Sequence, residues 1–254
     1  MTGERWSSFA SRLRACEPIL ASWVKTPHPH VVEVLALSKL DALILDAEHA
    51  PFGREALDAC ILAGRAGDMP VLVRPAANDP AAILQALDGG ALGVVIPHVR
   101  SANEAQAAVK ACRYVPGGRG FAGSTRAARY TTLGMGAHRA SSDDPLVIAQ
   151  IEDAEALGEL DGICAAPGLD GIFVGRADLT VSLEADGADD RHVVEAVEAI
   201  CKAASAADKP VGMFLAKAGD VPIWRDQGAS FFFLQSDQEF LLGGAGRLVE
   251  SVGF

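Results

Sequence analysis

Eight short runs dense in Val, Ile, Leu and Phe recur along the chain, and a segment of helical period follows each one. The runs are Leu20–Val24, Ala42–Asp46, Val71–Arg74, Gly93–Pro97, Leu146–Ile151, Gly171–Gly175, Val211–Leu215 and Ser230–Leu234. They are continuous rather than alternating, the pattern of strands buried on both faces in a parallel sheet. Eight strand–helix units are the content of a (β/α)8 TIM barrel, and 254 residues fit one such domain spanning 1–254. An open doubly wound sheet is the rival architecture, but no Gly-rich phosphate turn follows the first run.

Helix boundaries support the alternation. Asn78-Asp79-Pro80 supplies a cap followed by a first-turn proline, and Gly89-Gly90 stops the helix. Ser101-x-x-Glu104 and Ser236-x-x-Glu239 have the spacing of capping boxes. One segment breaks the rhythm: Tyr114–Pro145 is long and Gly-rich, as functional loops often are. No acid occurs from Ala105 to Ser142, while Lys110, Arg113, Arg119, Arg126, Arg129 and Arg139 all fall there. The loop leaves a helix at the face opposite the usual active site. Its length lets it reach either the rim or a neighbouring subunit.

Charge and cysteine usage narrow the functional classes. With 33 acidic and 22 basic residues the net charge is −11, which disfavours nucleic acid and anionic membranes as partners. No stretch approaches the roughly 18 consecutive apolar residues of a membrane span. The five cysteines are scattered and never spaced as CxxC, against a disulfide framework or a zinc–thiolate site. The N-terminus carries no apolar core of signal-peptide length, so a cytoplasmic protein is expected.

Barrel active sites form at the C-terminal strand ends, and the polar residues here collect at those ends. The second run ends in Asp46-Ala-Glu48-His49, the third in Arg74, the fourth in Pro97-His98. The fifth leads into Gln150-Ile-Glu152-Asp153, the sixth into Gly175-Arg176-Ala177-Asp178, the eighth into Gln235-Ser236-Asp237. Glu152 and Asp178 leave adjacent strands, and two neighbouring carboxylates call for a shared proton or a cation. An all-oxygen site with two protein ligands suits Mg²⁺ or Mn²⁺. Both acids also precede helix-like segments, so a pair of N-caps is the competing reading. A lone His49 or a lone Arg74 would be unremarkable. With a cation they make a set that can polarise a keto oxygen, fix a positive charge and move a proton.

The segments LILDAEHAP, VLVRP with NDP, LDGGALGVVIPHV, YVPGGRG, AQIED and GIFVGRADLT, in this order and spacing, resemble the HpcH/HpaI aldolases, the metal-dependent class II pyruvate aldolases. The resemblance runs from Trp23 to the last strand. It implies a TIM barrel of the phosphoenolpyruvate/pyruvate-binding type, with Mg²⁺, Mn²⁺ or Co²⁺ held by Glu152 and Asp178. It further implies His49 as general base, Arg74 as the transition-state arginine, and Asp88 as the acid that orients the histidine. Gln150, Gly175, Arg176 and Ala177 match the region that touches the keto acid. The implied reaction cleaves a 4-hydroxy-2-keto acid to pyruvate or hydroxypyruvate and an aldehyde through an enolate stabilised by the metal. The implied assembly is a homo-oligomer, a hexamer.

At Arg176 the chain departs from the usual Gly-Pro-Ala-Asp-Leu, and an arginine there is expected either to bind a second substrate carboxylate or to point outward, pairing with a protein acid such as Asp46 or Glu48. No strand-end lysine is identified that would compete as a Schiff base. Two rivals share these features: a citrate-lyase or malyl-CoA-lyase type of enzyme acting on an acyl-CoA, and a non-catalytic keto-acid-binding barrel.

Overall fold

The computed structural model describes residues 3–253. Its strands are β1 (Ile19–Val24), β2 (Ala42–Asp46), β3 (Val71–Arg74), β4 (Gly93–Ile96), β5 (Leu146–Ile151), β6 (Gly171–Val174), β7 (Val211–Leu215) and β8 (Ala229–Ser236). All neighbours pair in parallel and β1 closes on β8, giving a closed barrel in sequence order. The (β/α)8 barrel expected from the alternation is the fold observed. β4 stops before Pro97, which has no N–H for the ladder. β8 runs two residues beyond the expected end and carries Gln235 in a left-handed conformation (φ 58°).

The helices are α1 (Glu4–Arg14), α2 (Pro29–Ala36), α3 (Arg54–Ala66), α4 (Pro80–Asp88), α5 (Ala102–Cys112), α6 (Met135–Ala140), α7 (Leu160–Cys164), α8 (Arg176–Ser182), α9 (Arg191–Ala206), α10 (Val221–Asp226) and α11 (Asp237–Val252). Asp79 caps α4 by accepting from the N–H groups of Ala81 and Ala82, and Gly89 ends the helix. Ser101 and Ser236 cap α5 and α11 through the N–H groups of Glu104 and Glu239. The expected reciprocal half of the first box is replaced: Glu104 instead accepts from the Arg100 N–H at 2.7 Å.

Two apolar layers hold the barrel. The outer one packs strand residues such as Leu43, Val73, Ile96 and Val174 against the helices. The inner one fills the lumen with Trp23, Ile44, Leu72, Ile148, Phe173, Phe231 and Phe233, and Phe9 and Leu13 of α1 close it from the N-terminal end. Trp23, Phe173 and Phe233 form an aromatic floor near the C-terminal end, with ring centroids 4.4–5.9 Å apart.

The Tyr114–Pro145 segment stays at the N-terminal end of the barrel. It contains α6 and is tied down by Arg119–Asp88 (2.6 Å), by Arg126–Asp58 (2.7 Å) and by a Tyr114–His138 hydrogen bond of 2.8 Å. Within one chain it does not reach the strand ends that carry the carboxylates. α11 behaves differently from the other long helices. Asp237, at its start, is its one buried residue, while Leu241, Leu242, Leu248, Val249 and Val252 are exposed.

Candidate active site

Parallel strands converge at their C-terminal ends, where the residue after each strand leaves the ladder and faces the barrel mouth. The first element there is a buried ion pair. Asp46, last in β2, is fully buried and accepts from Arg74 Nε at 3.0 Å and Nη2 at 2.8 Å. The two residues are register partners in the β2–β3 ladder, which is why their side chains meet. Lys25, directly after β1, approaches the other Asp46 oxygen at 3.1 Å. Burial, the largest single influence, pushes the Asp46 carboxyl up, but the Arg74 charge together with the hydrogen bonds from the His49 N–H and Arg74 and the Lys25 charge holds the pKa below the usual range. Arg74 also reaches Glu48 (Nη1 to Oε2, 3.1 Å) and lies over the Trp23 ring, 4.4 Å from its centroid. Its planar group is thus fixed on three sides.

His49 stands at the mouth with half its side chain exposed; its backbone N–H donates to Asp46 at 3.1 Å. Burial and then the Arg74 charge lower its pKa, so the imidazole is neutral at pH 7 and able to accept a proton.

Glu152 follows β5 and is almost wholly buried. One oxygen accepts from the His98 N–H at 2.9 Å, the other from the Gln150 amide. Burial raises the Glu152 pKa, and Asp178 adds to the rise. Asp178 is half-buried in the first turn of α8. Neither acid makes a helix-capping hydrogen bond: Asp153 precedes the next helical turn, and Gly175 precedes α8. The N-cap reading of the two carboxylates is therefore not what the structure holds.

A cavity of about 430 Å³ opens above the aromatic floor, lined by His49, Arg74, Gln150, Gly175, Ala177 and Asp178 among others. The donor chemistry fits a divalent cation. Glu152 and Asp178 are near enough for the Asp178 charge to be felt at Glu152. One ligand atom from each of Glu48, His98 and Glu152 lies within 4.8 Å of the others, and the buried Gln150 Oε1 has no hydrogen-bond partner. Gly175 makes room for this arrangement. A Cβ there would fall 2.6 Å from Glu152 Oε2 and 2.7 Å from Glu152 Cβ. Gly175→Ala is expected to displace Glu152 and reduce turnover roughly tenfold or more, since small misplacements at a reacting centre are costly. Turnover assays paired with thermal melting check this; unchanged turnover in a folded variant refutes it.

Of the residues expected at the site, Asp88 lies elsewhere within this chain, whereas Arg176 lines the cavity but points its guanidinium away from it. Asp88 ends α4, at the N-terminal end of the barrel, where it pairs with Arg119. The structure does not bring it to His49 within one chain. Arg176 starts α8, but its guanidinium turns toward α10. It lies 4.9 Å from the Trp224 ring centroid, donates to the Ala188 carbonyl at 2.7 Å and approaches Asp189 at 3.6 Å. It meets neither Asp46 nor Glu48, and Arg74 is their partner instead.

Three residues to which the sequence assigned no role enter the site. Lys25 lines the cavity at the end of β1, a strand-end lysine that sequence reasoning had not identified. Its place directly after the first apolar run was the available signal. Glu48 is crowded by Glu152 and Asp46; burial first, and Glu152 next among the charges that raise it, bring its pKa to about 7. His98 adopts φ 53° and sets its ring among Glu48, Glu152 and Asp153.

Comparison with known proteins adds four findings. The profile of the family described as HpcH/HpaI aldolase/citrate lyase matches residues 20–242. A hydroxypyruvate/pyruvate aldolase of Rhizorhabdus wittichii is 31% identical over 94% of this chain and 97% of its own length. A 4-hydroxy-2-oxo-heptane-1,7-dioate aldolase of Salmonella dublin is 33% identical over 97% and 95%. Among solved structures, an HpcH/HpaI aldolase/citrate lyase family protein from Burkholderia cenocepacia superposes with TM-score 0.91 at 29% identity, covering 96% of this chain and 98% of that one.

Proposed function

The chain belongs to the HpcH/HpaI aldolase/citrate lyase family, and from that membership we propose a specific reaction: reversible cleavage of a 4-hydroxy-2-keto acid to pyruvate or hydroxypyruvate and an aldehyde. The protein is an aldehyde-lyase of the metal-dependent class II kind. The observation that carries the finer reading is one cavity lined by a fixed guanidinium, a neutral imidazole and Asp178, with Glu152 set against its wall residues Gln150 and Gly175. An acyl-CoA lyase and a non-catalytic barrel remain the alternatives that the test below addresses.

Glu152 and Asp178 would hold Mg²⁺, Mn²⁺ or Co²⁺. When bound, the cation supplies a Lewis acid that polarises the keto oxygen. Arg74, locked by Asp46 and Glu48, presents a positive charge where negative charge develops on that oxygen. Gln150, Gly175 and Ala177 line the cavity wall and orient the keto acid. His49 Nε2 accepts the proton of the 4-hydroxyl group, and the freed O–H pair forms the aldehyde carbonyl. The C3–C4 pair becomes the C2–C3 double bond as the keto C–O π pair moves onto oxygen. The aldehyde departs toward the mouth, and a proton taken up at C3 completes the keto acid. In the synthetic direction the same imidazolium returns the proton to the new hydroxyl.

Asp88 keeps a place in this reading only across an interface. Because it lies at the N-terminal end, it can orient His49 only when a second copy presents that end to the mouth. Self-association, as a hexamer, is the assembly we propose, and the exposed apolar residues of α11 support it. Among the described residues no helix is long and apolar enough to cross a membrane. A cytoplasmic location is part of the same proposal, supported by five cysteines that are all unpaired.

The test is exchange of the pyruvate methyl protons in D₂O, followed by proton NMR. Enzyme with added Mg²⁺, Mn²⁺ or Co²⁺ is expected to erase the methyl signal, and chelator is expected to stop the loss. A protein that binds pyruvate without exchanging it is a binder. Exchange that survives chelation, with borohydride trapping an adduct on Lys25, overturns the metal reading.

A further inference from the structure

The end of the barrel opposite the strand-end carboxylates holds a second cavity, of about 550 Å³, between α1 and the Tyr114–Pro145 segment. Arg14, Arg65, Arg119 and Arg129 line it, and among the described residues of its wall Asp144 is the single acid. That excess of positive charge runs against a chain whose net charge is −11. Helix C-termini gather at this end of a barrel, and basic side chains offset their dipoles. The dipoles account for Arg14 and Arg65, in the last turns of α1 and α3, but not for Arg119 and Arg129, which the loop segment brings in.

Two of the four arginines have a carboxylate: Arg14 pairs with Asp170 at 2.7 Å and Arg119 with Asp88 at 2.6 Å. Among the described residues Arg65 and Arg129 have none. Arg65 donates to the Gly90 carbonyl at 3.1 Å and lies 5.2 Å from the Trp6 ring centroid. Burial first, and then the charges of Arg126 and Arg129, make its guanidinium less basic than usual. Like charges crowded without an acid are what a bound anion relieves. Two nitrogens in the wall are also unsatisfied. Arg119 Nε and His138 Nδ1 have no hydrogen-bond partner, although the two residues are only 7% and 2% exposed. Nitrogens so deeply buried are ordinarily paired, and their solitude marks a place for ligand oxygen. Opposite the charges the wall is apolar, with Trp6, Leu87, Leu92 and Leu133. A cavity of this size suits a whole small molecule rather than a bare ion.

We propose that this cavity binds a small phosphomonoester, its phosphate on Arg65, Arg129 and Arg119 and its organic part along Trp6 and Leu133. The guanidinium fork matches phosphate geometry. A phosphate also brings nearly two charges and three acceptor oxygens, against one charge and two oxygens for a carboxylate. Free phosphate satisfies the arginines but leaves the apolar wall uncovered. The site is separate from the strand-end carboxylates and does not depend on the reaction proposed above.

The experiment titrates metal-stripped full-length protein calorimetrically with glycerol 3-phosphate, ribose 5-phosphate and glucose 6-phosphate, and with inorganic phosphate and sulfate for comparison. At least one ester is expected to bind roughly tenfold or more tightly than sulfate, with inorganic phosphate between them and all affinities falling as salt rises. Arg65→Gln and Arg129→Gln are each expected to weaken that ester roughly tenfold, the loss of one charged hydrogen-bonding partner. Arg129 is exposed, so Arg129→Gln carries the test if Arg65→Gln does not fold. Arg129→Gln is also expected to leave the exchange of pyruvate protons unchanged. Arg74→Met, which alters the other cavity, is expected to bind the ester as wild type does. No ester binding tighter than sulfate overturns the proposal, as does full affinity in both Arg65→Gln and Arg129→Gln. Ester binding lost in Arg74→Met places the ligand among the strand ends and overturns it too. Inorganic phosphate that binds as tightly as every ester overturns the assignment to an ester.

Discussion

Arg74→Met is expected to lower kcat by roughly 10²–10³-fold, the scale seen when one preorganised stabiliser of a developing oxyanion is removed. The guanidinium has no freedom to be replaced by a mobile lysine. Two of its nitrogens are held by Asp46, a third by Glu48, and its flat face lies on Trp23. A lysine keeps the charge but not the fork or the stacking, so Arg74→Lys is expected to recover little. The same change also strands Asp46, which is fully buried. Leaving a buried carboxylate without its main partner costs about 3 kcal/mol, at the lower end of the range for broken buried pairs because Lys25 remains. The sign with pH follows. Asp46 has a folded pKa held below its unfolded value, so the pair's contribution is present above the carboxylate range and is lost as pH falls through it. Denaturant melts of wild type and Arg74→Met at pH 7 and at low pH should therefore converge on acidification. A stability gap that widens in acid contradicts the pairing, and a near-normal kcat contradicts the electrostatic role.

His49→Ala is expected to reduce aldol turnover by roughly 10²–10⁴-fold while leaving metal affinity nearly unchanged. The histidine is exposed at the rim and makes no side-chain hydrogen bond to Glu152 or Asp178, so its loss does not unmake the carboxylate site. Burial and Arg74 hold its pKa below the ordinary imidazole value. A base works when unprotonated, so the acid limb of kcat/KM in wild type is expected below the usual histidine range, and that limb should vanish in the variant. Exchange of pyruvate protons in D₂O separates the steps, since aldol cleavage requires the 4-hydroxyl proton to leave and enolisation of pyruvate does not. A wild-type cleavage rate in His49→Ala assigns the histidine a structural place only.

The barrel was legible because each of its signals is local. Continuous apolar runs, the Asp79-Pro80 start of α4 and the Ser236 cap of α11 are written within a few residues, and the structure keeps them. The Asp46–Arg74 pair is a matter of register between strands, which the order of the runs implies without giving. Asp88 shows a different limit. The Gly89-Gly90 stop ends α4 as expected, and the end of a barrel helix lies opposite the strand ends, so within one chain the same signal places Asp88 away from His49. Arg176 was unreadable in direction, because what turns its guanidinium is Trp224 of α10, distant in sequence. His98 was visible as a polar strand end, but its left-handed backbone, which creates the contact with Glu152, has no signature in the sequence.

The aromatic floor of Trp23, Phe173 and Phe233, closed from below by α1, has a kinetic consequence. A lumen packed with rings has no back exit, so every molecule that reaches the carboxylates passes the same rim twice. Under the proposed reaction the keto acid occupies the deeper position, against Arg74 and Glu152, and the aldehyde occupies the shallower one beside His49. The shallower product must clear the rim before the deeper one can follow. Release is therefore expected to be ordered under that reaction, aldehyde first and keto acid last, and in the reverse direction the keto acid is expected to enter before its acceptor. The packing that stabilises the barrel thus sets the sequence of binding and departure.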